Sequence, residues 1–149
     1  MKINNIDQKL IEWLRISFMP FARFAIFVIF FWFGFLKIIG ESPASPLAFE
    51  LVRKTVGAEH FHTLFIIVGI YECLVGILFL LPKATRVVIP LLFGHMLIVC
   101  SPLLLVPSMA WTKPLVPTLE GQYILKNLAV IALAIGIAAQ TRPLARKSR

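Results

Sequence analysis

Acidic side chains are scarce in this chain. Asp and Glu together number seven in 149 residues, against fifteen Lys and Arg, and charged residues make up only 15% of the total. With 59% of residues hydrophobic, a water-soluble domain of this length would leave too much apolar surface exposed, and apolar runs of about 20 residues are the membrane signature. The net charge of +8 does not call for a nucleic-acid partner. The basic residues sit at the ends and in short links between apolar runs, where they set membrane topology.

Cysteine is equally sparse. Cys73 and Cys100 both fall inside apolar runs, which excludes a disulfide framework, a zinc spacing and a CxxC redox pair. Centring their spans near residues 72 and 97 puts the two at depths roughly 6 Å apart before any lateral gap, so they are expected to stay unbonded. A glycine-rich phosphate loop, a nucleophile triad and a carboxylate dyad are missing too. His60 and His62 flank Phe61 and share a face only in an extended segment, so no metal site is expected there. There is no internal repeat, and the chain reads as a single membrane domain over 1–149. A cleaved signal peptide is not expected, because the first apolar run is too long and lacks a small-x-small site after it.

What is present is a set of long apolar runs, and the second is the centre of the pattern. Thr63 to Leu81 is long and apolar enough to cross a bilayer, yet Glu72 lies at its middle. A carboxylate at that depth costs a few kcal/mol or more to insert, so it is expected to face other helices and a partner. Gly69, Gly76 and Cys73 lie near Glu72 on the helix surface, which lets another backbone approach that face.

The remaining spans are predicted at about 21–39, 87–106 and 122–139, giving an all-α integral membrane four-helix bundle. Before the first span, Ile3, Ile6, Leu10, Trp13 or Leu14 and Phe18 recur at steps of three and four. That spacing predicts an amphipathic helix on the membrane surface, turning into the span at Pro20. Arg23 and Lys37 stand near opposite ends of the first span, where they can snorkel to opposite interfaces.

In the first connection, Ser45 suits an N-cap, Pro46 the first helical position and Gly57 the residue after the end. A short external helix over 46–56 follows from these signals. The link Pro82 to Arg86 forces the third span back antiparallel, with Pro90 and Pro102 bending it. Residues 106–121 read as an irregular loop, and 140–149 as a basic cytoplasmic tail.

Depth then groups the polar residues. Glu72 and His95 are near the middle of their spans, while Lys37 and Lys126 lie in the outer halves of theirs, with Tyr123 and Asn127 beside Lys126. A lysine stem of roughly 6 Å can bring either ammonium towards Glu72. The functional reading is an outer-leaflet polar pocket of Lys37, Glu72, His95, Tyr123, Lys126 and Asn127 that binds a quinone head group or passes a proton. The competing reading is a buried ion pair that serves only helix register.

The run from Arg23 through FFWFGFLKIIGESPASPL, Glu72 with Gly76, and Gln122-Tyr123-Ile124-Leu125-Lys126-Asn127 together resemble the DoxX-like family of small membrane proteins, near its YkgB-like branch. The likeness covers roughly residues 20 to 140 and rests on the order and spacing of short motifs. It implies a four-helix membrane bundle, and it links some relatives to quinone-coupled sulfur oxidation and others to oxidant resistance. It supplies no agreed catalytic residues.

The leading expectation is therefore a redox-linked subunit of the bacterial inner membrane that binds a quinone or other lipophilic molecule. Its rivals are a small transporter or carrier, and a structural or assembly subunit without a ligand. The partners to consider are the lipid bilayer, a redox protein and further copies of the chain, with no nucleic acid.

Counting basic residues with the N-terminus inside gives ten inner (Lys2, Lys9, Arg15, Arg23, Lys83, Arg86, Arg142, Arg146, Lys147, Arg149) against five outer (Lys37, Arg53, Lys54, Lys113, Lys126). Both termini are thus expected in the cytoplasm. In a cysteine-free background, Ser45→Cys should react with an impermeant maleimide added outside, and Ser148→Cys only after the membrane is opened. Reaction of both in intact cells would overturn this topology.

Overall fold

The computed structural model describes residues 2–141, with side chains from Ile6 onward. Apart from Gln140 and Thr141, the expected basic tail lies outside the described residues, as do the side chains of Lys2 and Ile3 in the charge count and the amphipathic pattern. The chain is mostly helical. Its elements run α1 (Lys2–Ile38), α2 (Ser45–Thr55), α3 (Phe61–Phe79), α4 (Thr85–Cys100), α5 (Pro102–Leu105), α6 (Pro107–Ala110), β1 (Trp111–Lys113), β2 (Val116–Pro117) and α7 (Leu119–Ala139). Four stretches are long and apolar enough to cross a membrane: Ile6–Ile38, Ala58–Phe79, Pro82–Leu105 and Leu119–Ala139.

The first of these corrects the expectation of a separate surface helix. α1 is continuous over 37 residues, with Pro20 inside it. Proline removes one hydrogen-bond donor and crowds the preceding turn, but a helix can absorb this as a bend. At 1.5 Å per residue α1 is roughly 55 Å long, well beyond a hydrocarbon core of about 30 Å.

One apolar core draws on all four long helices: Ala22, Ile26 and Phe30 of α1, Val75 and Phe79 of α3, Val88, Leu92 and Met96 of α4, and Ala134 and Ile137 of α7. The four-residue steps in α1 and α4 keep these side chains on one face. α1 packs most extensively on α3 and also touches α7, while α4 touches α3 and α7. The outward faces are apolar as well, with Phe21, Trp32, Leu97 and Leu104 largely exposed. That distribution suits a surrounding solvent as apolar as the core.

Arg23 is a second correction. It does not reach outward: it is 7% exposed and donates to the Phe79 carbonyl at 3.1 Å and to Thr85 Oγ1 at 2.7 Å. These bonds satisfy an orphan carbonyl at the end of α3 and tie the α3–α4 corner to α1. That corner is a single tight turn, Pro82–Ala84.

α2 begins at Ser45, one residue earlier than expected, and Ser45 is not its N-cap. Ser42 Oγ instead accepts the Ala44 N–H at 3.3 Å, and Ser45 Oγ donates to the Ser42 carbonyl at 2.7 Å. Gly57 does follow the helix, with φ at +105°, a conformation that favours glycine. On α2 the Arg53 guanidinium grips Glu50 through two bonds of 2.8 and 2.6 Å. That hydrogen bonding holds the Glu50 carboxyl below its usual range.

In the third span, Pro90 stays inside α4 and the helix ends at Cys100, just before Pro102 opens α5. The connection expected to be irregular is partly ordered. β1 and β2 form a small antiparallel hairpin, and Trp111 Nε1 donates to the Leu103 carbonyl at 2.9 Å. Thr118 caps α7 by accepting the Gly121 N–H at 3.0 Å and donates its own hydroxyl to the Met109 carbonyl at 2.6 Å.

The hairpin turns through Leu115, a non-glycine residue at φ +62° with 89% of its surface exposed. The left-handed region costs an L-residue roughly 1–2 kcal/mol. Leu115→Gly should therefore raise stability in detergent by about 0.5–1 kcal/mol. Leu115→Ala, which keeps the Cβ, should not. Equal behaviour of the two variants in thermal unfolding would remove backbone strain as the cause.

Candidate functional site

The site is built where α1 and α3 come closest. A Cβ on Gly34 would stand 2.6 Å from the Gly69 carbonyl oxygen and 2.9 Å from both the Cys73 nitrogen and the Glu72 Cβ. A Cβ on Gly69 would in turn stand 2.8 Å from the Gly34 carbonyl oxygen. Only glycine lets the two backbones meet at this separation. Lys37 and Glu72 each follow their contact glycine by three positions, so the crossing sets the two charges side by side.

Lys37 Nζ lies 2.6 Å from Glu72 Oε2, with side chains 11% and 8% exposed. The other carboxylate oxygen, Oε1, lies 3.0 Å from His95 Nε2 on α4. Glu72 thus bridges three helices, with one partner for each oxygen. Lys37 Nζ also stands 3.5 Å from the Phe33 carbonyl and 5.9 Å from the Phe65 ring centroid.

His95 is held by aromatic contacts. Tyr71 stacks on it at 5.6 Å between ring centroids, and Phe30 meets it edge-on at 5.6 Å. The Tyr71 hydroxyl donates to the Leu91 carbonyl at 2.8 Å, which pins that ring to α4. Sequence reasoning gave neither Tyr71 nor Phe30 a role in the site. A tyrosine inside an apolar span, next to the buried acid, is a usable signal, since its hydroxyl must find a partner.

Of the six residues expected to form the pocket, Lys37, Glu72 and His95 meet. The other three stand apart on α7. Tyr123 is 61% exposed, Lys126 is exposed with its Nζ 5.0 Å from the Tyr123 ring centroid, and Asn127 is half-buried. Lys126 therefore pairs with an aromatic face on the outside of its helix rather than with Glu72. Equal depth placed it near the acid, but its azimuth on α7 turns it away.

Both cysteines are free. Cys73 Sγ approaches the Phe31 carbonyl at 3.5 Å, as a weak donor within the α1–α3 contact. Among the described residues no group of three or more His, Cys, Asp or Glu is placed to hold a metal ion. Chemically, the site is one carboxylate shared by an ammonium and an imidazole, a set that can bind a polar group or move a proton but offers no activated nucleophile. Comparison with protein-family models, curated proteins and solved structures finds no match for this chain.

The geometry makes the ion pair testable. In Glu72→Gln, the amide can still pair with His95 Nε2, but nothing neutralises Lys37. Breaking a buried pair from one side costs roughly 3–5 kcal/mol, and the loss should appear as a lowered melting temperature in detergent. Lys37→Met combined with Glu72→Gln should recover most of it, because no stranded charge remains. A Glu72→Gln protein as stable as the wild type would refute a structural ion pair.

Proposed function

We propose that this chain is a multi-pass protein of the bacterial inner membrane, a four-helix bundle with both termini cytoplasmic and α2 external. In it, the Lys37–Glu72–His95 cluster is the polar end of a site for a quinone head group or a similar lipophilic molecule. α1 runs on as one helix on the N-terminal side of Arg23 and so reaches past the hydrocarbon core on the inner side. The resemblance to DoxX-like proteins fits this reading and suggests a redox-linked subunit that takes its electrons through a partner protein.

The observation that carries the proposal is the bridging carboxylate. Intramembrane ionisable residues mark functional sites by default, and here an acid is held between the Lys37 ammonium and an imidazole nitrogen of His95. A quinone head group is flat and offers carbonyl acceptors at its ends. Lys37 and His95 supply donors for a carbonyl, while Tyr71 and Phe30 supply aromatic surface beside the imidazole. Reduction of such a ring takes up protons, which the Glu72–His95 pair is suited to deliver.

A second reading follows from the completeness of the pairing. Each Glu72 oxygen already has a partner, as a purely structural cluster that fixes helix register requires.

One experiment separates the two. The protein purified in mild detergent, and the stability-restored Lys37→Met/Glu72→Gln variant, are extracted with organic solvent and the extracts assayed for quinone by mass spectrometry. The binding reading expects quinone enriched over an unrelated membrane protein from the same cells, and lost from the double variant. Quinone at background level, or retained equally by the folded double variant, would leave the cluster a structural role.

A further inference from the structure

A second feature lies far from the cluster, at the opposite end of α1. Ile11, Leu14, Arg15 and Phe18 of α1 and Gln140, just past α7, line an open groove of about 540 Å³. Phe18 rests against α7, where a Cβ on Gly136 would stand 3.6 Å from the tip of its ring. The volume falls within the range of roughly 300–1,000 Å³ usual for small-molecule sites. α1 continues in helical form past Arg23, and among the described residues Gln140, just past α7, completes the lining on the other side.

The geometry points to a bound anionic phospholipid in this groove. Three observations select that occupant. The lining is apolar along one side through Ile11, Leu14 and Phe18, which suits an acyl chain. Arg15 is a fixed cation with no acidic partner among the described residues, since the ion pairs found there involve other groups. Glu12 precedes it by three positions but is not part of the lining. Finally, the groove sits where the apolar stretch of α7, Leu119–Ala139, gives out, the depth at which a phospholipid carries its phosphate.

A guanidinium binds phosphate through paired, charge-assisted hydrogen bonds, and the Gln140 amide adds a donor at the same level. A zwitterionic lipid would bring its own ammonium to the guanidinium, so the site discriminates by headgroup charge. This inference does not depend on a quinone at the Glu72 cluster.

Native mass spectrometry of the full chain in detergent tests it, with phosphatidylglycerol and phosphatidylcholine added in turn. The wild type should retain phosphatidylglycerol in preference to phosphatidylcholine. Arg15→Gln should weaken that retention on the order of tenfold, the equivalent of one lost charge-assisted hydrogen bond. Lys9→Gln, which removes a cation of the same helix outside the groove, should leave it unchanged. Equal retention of the two lipids, no retention by the wild type, or Arg15→Gln and Lys9→Gln behaving alike would overturn the proposal. So would a dimer mass that Arg15→Gln abolishes, which would assign the groove to a second copy of the chain.

Discussion

The fold depends on neutralising one carboxylate in an apolar setting. Glu72 is 6% exposed, and an ion so placed is tolerable only with a partner of opposite charge at short range. Lys37 can supply that charge only because Gly34 and Gly69 let α1 and α3 touch backbone to backbone. Larger residues would push the helices apart by about the width of a side chain, and the ammonium would then lie beyond contact. The glycines and the charges are one device. The extensive α1–α3 contact is its visible result, continued towards Arg23 by Gly76 against the backbone of Phe27 and Phe31.

Arg23 does comparable work at the other end of the same helix, by a different route. It has no carboxylate partner among its bonds and answers a carbonyl and a hydroxyl instead. A guanidinium suits this because its donors fan out in a plane and reach two acceptors at once. Between Arg23 and Lys37, α1 is fastened at both ends to α3 or its following turn. α4 is then fixed by His95 above and Thr85 below. α7 is held differently, through apolar packing and the Thr118 cap.

Much of this was legible in the sequence, and the gaps have physical causes. Hydropathy gives the four apolar stretches and marks Glu72 as anomalous, because apolar length and a lone charge are properties of the chain itself. The small residues around Glu72 give the packing face for the same reason. What depth alone does not provide is azimuth. Lys126 and Lys37 sit at similar heights, yet only rotation about the helix axis decides that Lys37 faces the acid and Lys126 faces Tyr123. Arg23 escaped for the same reason. Pro20 misled because a proline inside a helix and one that ends it look alike in sequence. The hairpin at Trp111–Pro117 was hidden because its turn uses Leu115 where glycine or asparagine would normally announce a positive φ.

The Lys37–Glu72 contact also bears on how the protein is made. Its two members lie on consecutive long apolar stretches of the chain, separated by α2 and a short connection. The charges can therefore cancel within the first helical pair, before α4 exists to offer His95. A nascent hairpin that enters the lipid already electrically neutral faces a smaller barrier than one carrying an exposed acid. The order of synthesis and the finished structure thus favour the same contact: the pair that joins the mature helices would also be a passport for α1 and α3 into an apolar phase.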